Sequence, residues 1–113
     1  MIKLKRIYDP YTTEDGYRVL VDKIWPRGVS KEKAHIDLWM KEVAPSTQLR
    51  KWFNHDPKNW GDFVRKYKEE LKAKEGLVAQ LRSLEKEYKD ITLLYGAKNE
   101  EFNQAVVLQS VLA

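Results

Sequence analysis

The chain contains no cysteine. That excludes disulfides, thiolate nucleophiles and cysteine-bound zinc. Histidine is nearly as scarce. His35 and His55 are the only two, and they are far apart with no His-x-x-x-His spacing, which argues against a metal centre. There is no GxGxxG pattern and no Walker-A loop, so a nucleotide cofactor has no support and the cofactor is left unassigned. No apolar run approaches the roughly 20 residues needed to cross a bilayer. Lys3, Lys5 and Arg6 break up the apolar N-terminal stretch, unlike a secretory signal. A large charge of one sign is also missing: 21 Lys and Arg oppose 17 Asp and Glu, for a net +4. That permits an anionic small molecule as partner and argues against nucleic acid. The expectation is a cytoplasmic protein with no membrane segment. Its oligomeric state is left open.

What is present is enough for a core. In 113 residues, 42% are hydrophobic and 12% aromatic, with four Trp and six Tyr. That length suits one domain over residues 1–113. "IKLKRIY" reads as a first strand with one wetter face. "YRVLVD" has a continuous apolar centre, as strands buried on both faces do. Ser30 caps a short helical turn over "KEKAH". "IDLWMKEVAP" alternates and reads as a short third strand or an extended segment. Ser46 caps a helix over "TQLRKWF". Asp56 with Pro57 opens the next helix, along which Trp60, Phe63, Val64, Tyr67 and Leu71 recur at helical spacing. Gly76 separates this helix from another carrying Leu77, Val78, Leu81, Leu84 and Tyr88. "ITLLYGA" is the most strand-like run. Asn99 is the expected cap of the last helix, which places Glu100 and Glu101 in its first turn.

Alternation of this kind predicts an α/β fold: a small three-layer domain with a mostly parallel sheet of three or four strands flanked by helices. "YRVLVD" and "ITLLYGA" are its expected central neighbours. The expected core includes Leu20, Trp39, Phe63, Tyr67, Leu81, Leu93 and Leu108.

Ligands in such sheets bind at the carboxyl ends of the strands. "DKIWPRG" follows "RVLV" at one such end. Arg27 offers a planar fork for carboxylate or phosphate, and Lys23 a further charge. Gly28 allows close backbone approach. Asp22 holds Arg27 or a proton, and Trp25 is core or pocket wall. An internal Asp22–Arg27 ion pair that only pins the loop is the plainer alternative. In "PSTQLRKWFNHDP", Ser46 and Arg50 are ligand-binding candidates and His55 is a proton-transfer candidate with Asp22; Asp56 as a simple cap is the competing reading. In "YGAKNEEFNQ", Gly96, Lys98 and Asn103 surround a strand-to-helix turn, and Tyr95 lies near the end of the strand before it. Asp22, Arg27, Arg50 and Tyr95 are expected to converge, with Asp22 pairing one of the arginines.

"RVLVDKIWPRGVSKEKAHIDLWMKEVAPS", "LRKWFNHDP" and "LLYGAKNEEFNQAVVL" together resemble the YeaO-like branch of a bacterial family, domain of unknown function 488. The resemblance runs from Asp9 to Leu112. It implies an α/β fold and brings no established activity. Two departures stand out. Members usually carry Arg where this chain has Lys23, and often His where it has Phe102. A general acid or base at that second position would be missing here. Longer relatives carry a Cys-His-Arg-like motif after the last strand, where this chain has "EEFNQA".

Two functions follow. One is a small-anion or metabolite site at the strand ends, with or without turnover. The other is a non-catalytic protein or nucleic-acid interaction module, with Trp, Arg and Tyr forming a partner surface.

Overall fold

The computed structural model describes all 113 residues. Four strands form one sheet: β1 (Ile2–Arg6), β2 (Tyr17–Leu20), β3 (Leu38–Trp39) and β4 (Ile91–Tyr95). Their spatial order is β1-β4-β2-β3, and every pair is parallel. The two continuous apolar runs are the central neighbours, with Tyr17 opposite Ile91 and Leu20 opposite Leu94. β4 is buried at all five positions. β3 has only two residues.

The helices are α1 (Lys31–Ala34), α2 (Thr47–Phe53), α3 (Trp60–Lys72), α4 (Glu75–Tyr88) and α5 (Gln104–Leu112). The two faces of the sheet are covered unequally. Val19, Val21, Ile91, Leu93 and Tyr95 point into the main core, which Phe53, Phe63, Tyr67, Leu81 and Leu108 fill from α2 to α5. The other face carries a small core of Ile7, Leu20, Ala34 and Leu94, against which Trp25 and Trp39 pack.

Six of the seven expected core residues are buried to 2% exposure or less. Trp39 is half-buried instead. It lies on an edge strand, and its indole N–H donates to the Asp22 carbonyl at 2.7 Å.

Helix starts depart from expectation at three points. Asp56 does accept the Lys58 N–H, but Pro57–Asn59 forms a 3-10 turn and α3 begins at Trp60. Gly76 lies inside the first turn of α4 rather than before it. The cap of α5 is Asn103, not Asn99: its side chain accepts the Val106 N–H at 3.2 Å. Asn99 instead closes its own turn, accepting the N–H groups of Glu101 and Phe102. Glu100 and Glu101 therefore precede the helix and leave its first turn without acid.

A buried polar cluster closes the amino-terminal end of β2. Arg18 is 1% exposed. It donates to the Asp15 carboxylate and to the carbonyls of Ala34 and His35. Asp15 also accepts from Lys5 at 2.9 Å and from Thr12. Tyr11 stacks on His35 and lies under the guanidinium. Every donor and acceptor that burial removes from water has a partner here, as stability requires.

Between α3 and the chain before α2, the Tyr67 hydroxyl donates to the Val43 carbonyl at 2.6 Å in a fully buried setting. Tyr67→Phe leaves that carbonyl unpaired and is expected to cost about 1–3 kcal/mol. Urea denaturation measures it; an unchanged midpoint would show that the carbonyl finds water.

Candidate functional site

β2 and β4 lie side by side, but the chain leaves them in different directions. After β2 it runs to α1 on the thin face; after β4 it runs to α5 on the thick one. Such a divergence opens a crevice at the carboxyl ends. A cavity of about 430 Å³ lies there, lined by residues following β2 and β4, by α2 and by the start of α5. That volume is within the range of small-molecule sites.

Asp22 belongs to this cavity. Its carboxylate accepts the Gly96 backbone N–H at 2.8 Å and the side-chain amide of Gln104. Gly96 suits that seat, because a Cβ there would lie 2.9 Å from the carboxylate and one of the two would have to shift. Burial pushes the Asp22 carboxyl above its ordinary value. The two hydrogen bonds and the charges of Arg50 and His55 oppose the rise without cancelling it.

Lys23, Arg50, Lys51 and His55 all line the cavity. The Lys23 ammonium donates to the Thr47 hydroxyl at 2.7 Å. None of the four takes part in an ion pair. His55 reaches the rim through an unusual turn. Asn54 and His55 both have positive φ, 47° and 54°, a conformation that costs a side-chain-bearing residue about 1–2 kcal/mol. Phe53, Phe63 and Phe102 supply apolar lining. No group of three or more His, Asp or Glu is gathered as a metal cluster.

Of the residues singled out from sequence, Asp22, Lys23, Arg50, His55 and Asn103 line this one cavity. Asn103 is 2% exposed, its side chain spent on capping α5 and on the Asn99 carbonyl. Tyr95 stands just before Gly96, with its ring in the main core. Burial, aided by the charges of Glu100 and Asp9, pushes its hydroxyl upward.

The others lie elsewhere. Trp25 turns to the opposite face, meeting Trp39 edge-on at 5.4 Å and donating to the Val29 carbonyl. That insertion carries Arg27 away from the cavity. Arg27 is exposed, its backbone carbonyl held by the Tyr8 hydroxyl. Asp22 therefore forms no ion pair with Arg27, and none with Arg50. Gly28 has φ 77° with open space where a Cβ would be, so it serves the turn rather than a close approach. Ser46 is occupied by Glu70, to which it donates from both hydroxyl and backbone. Lys98 is exposed and outside the lining.

Gly96, at the strand-to-helix turn, lines the cavity as well, and Gln104 completes the site without having been among the sequence candidates. A cap at Asn103 would have revealed Gln104 as the first helical residue, facing the strand ends.

Over its whole length, residues 1–113, the sequence matches the family described as "Inactive DUF488-N3 subclade", and the chain belongs to it. Among curated proteins it is similar to "Uncharacterized protein YeaO" of Escherichia coli (strain K12), at 44% identity over 107 residues, covering 95% of this chain and 92% of that one. It is also similar to "Uncharacterized protein Rv3073c" of Mycobacterium tuberculosis (strain ATCC 25618 / H37Rv), at 42% identity over 83 residues, covering 74% and 70%. No solved structure matches the chain. No helix is long and apolar enough to cross a membrane.

Proposed function

We propose that the protein binds a small anionic metabolite in the cavity at the ends of β2 and β4, without turning it over. The observation that carries this reading is the lining: three permanent cations, Lys23, Arg50 and Lys51, none of them in an ion pair, against the single carboxyl of Asp22. An uncompensated basic cleft attracts an anion, and a guanidinium binds carboxylate or phosphate through two parallel hydrogen bonds.

Binding without chemistry is supported by the ring of Phe102. It lines the cavity at 5.2 Å from Trp60, at the position where the resemblance implies an imidazole. The family's description as inactive points the same way. We assign the protein to the cytoplasm, where phosphorylated and carboxylated metabolites are abundant.

Thermal shift and calorimetry against inorganic phosphate, ethyl phosphate, citrate and nucleoside monophosphates test this. At least one is expected to stabilise the fold by mass action. Arg50→Ala is expected to weaken it about tenfold or more, the worth of a charge-assisted hydrogen bond, and to leave the melting temperature of the free protein nearly unchanged. The reading is lost if no anion at millimolar concentration shifts the melting temperature, or if Arg50→Ala binds as tightly as the parent.

A further inference from the structure

We propose that the cavity reads a ligand with two ends: an anionic group held by the cations, and an N–H donor held by Asp22 and Gln104. This rests on the anion reading above and adds the second half of the ligand.

A cleft built for a bare anion has no use for a carboxylate, which repels it. Yet Asp22 is held in the lining by specific contacts, and no cation of the chain neutralises it through an ion pair. Its two partners are a backbone N–H and a neutral amide. Gly96 is the residue that allows this, since a side chain there would press on the carboxylate. The carboxylate and the Arg50 guanidinium form no ion pair, although the charge of Arg50 reaches the Asp22 carboxyl, so neither group is used up by the other.

The hydrogen-bond inventory gives the polarity of this end. The Gly96 N–H is spent on Asp22. The Asn103 amide is spent on Asn99 and on the α5 cap. Each carboxylate oxygen of Asp22 accepts one bond within the chain and has room for a second. The Gln104 side-chain oxygen accepts none within the chain. What this end offers is therefore mainly acceptors, and its complement is a donor such as an ammonium or an amino group on a ring. The basic side chains at the other end are donors, and their complement is phosphate or carboxylate. Phe53, Phe63 and Phe102 give the body between the two ends an apolar surface. About 430 Å³ is far more than a bare phosphate fills.

Calorimetric titration with matched pairs tests the inference. One pair is O-phosphoethanolamine against ethyl phosphate, which differ in an ammonium. The other is adenosine monophosphate against purine riboside monophosphate, which differ in a ring amino group. The aminated member of at least one pair is expected to bind about tenfold more tightly or better, because a buried acceptor left unpaired penalises the analogue lacking the donor. The pair that discriminates identifies which kind of donor the site takes.

Asp22→Asn, which retains an acceptor for Gly96, is expected to abolish the preference for the aminated member of each pair. Should Asp22→Asn fail to fold, Gln104→Leu serves: the preference is expected to fall about threefold or more, the loss of one neutral hydrogen bond. Equal affinities within both pairs, with ethyl phosphate still binding, overturn the two-ended ligand and leave the anion site standing. A preference that survives both substitutions overturns it as well. Absence of binding by every phosphate overturns the two-ended ligand, and if citrate fails as well the anion reading falls with it.

Discussion

Replacing Gly16 with Ala is expected to lower the unfolding free energy by about 3–5 kcal/mol, from backbone strain and overpacking together. Gly16 has φ 67° and ψ −138°, a region that residues with a Cβ hardly enter. A Cβ placed there would lie 2.2 Å from the Asp90 carbonyl oxygen. That atom belongs to backbone and accepts the Tyr17 N–H at 3.0 Å, so it cannot swing aside. Thr92 fixes the same crossing, donating to the Asp15 carbonyl at 2.7 Å. Gly16 thus lets the start of β2 lie directly on the entry to β4, which sets their register. Urea denaturation of the variant gives the number. A loss under about 1 kcal/mol, no more than an ordinary mutation, would mean that the turn relaxes.

Arg18→Ala is expected to cost about 3–5 kcal/mol, because it strips a buried carboxylate of a partner and leaves the carbonyls of Ala34 and His35 without their donor. The double substitution Asp15→Leu with Arg18→Met is expected to recover part of that loss, since it removes the buried carboxylate together with the guanidinium; Lys5 then loses its partner and the two carbonyls stay without a donor. If the double variant is as unstable as Arg18→Ala, the cluster acts through its shape and not its charges.

The same cluster makes a prediction for acid. Burial raises the Asp15 carboxyl, but hydrogen bonds from Lys5, Thr12 and Arg18 outweigh it and bring the pKa to about 2. The folded value lies below the unfolded one. The stabilisation is therefore complete above about pH 4 and is lost as pH falls toward 2. Asp15→Asn is expected to flatten stability across that interval.

β2 and β4 were legible as central strands because their apolar runs are unbroken, a pattern only a doubly covered strand needs. Their pairing placed Asp22 at the carboxyl edge, and Arg50 and His55 joined it there. The behaviour of Arg27 was not legible. Its direction is decided by Trp25, and nothing local states which face of the sheet an indole will choose. Arg18 was hidden for the opposite reason. It sits at the start of an apolar run, and the partners that make its burial tolerable come from Asp15 and from carbonyls 16 and 17 residues further on. The start of α5 was misread because Asn99 and Asn103 are equally good caps by type. Burial of Asn103 at 2% exposure decides between them, and burial is a property of the finished fold.

The strand order also dictates when the sheet can exist. Within the sheet β1 pairs only with β4, Ile2 opposite Ile91, and β2 needs β4 on its other side. A nascent chain can form its α3–α4 region early, but its first strand has no neighbour until some ninety residues have followed it. Loops of that length close slowly, and until then β1 presents an unpaired edge to whatever it meets. Lys3 and Lys5 lie on that strand. Charges at such positions discourage the edge from pairing with another molecule, whereas in the finished fold Lys3 donates to the Glu14 carbonyl and Lys5 pairs with Asp15.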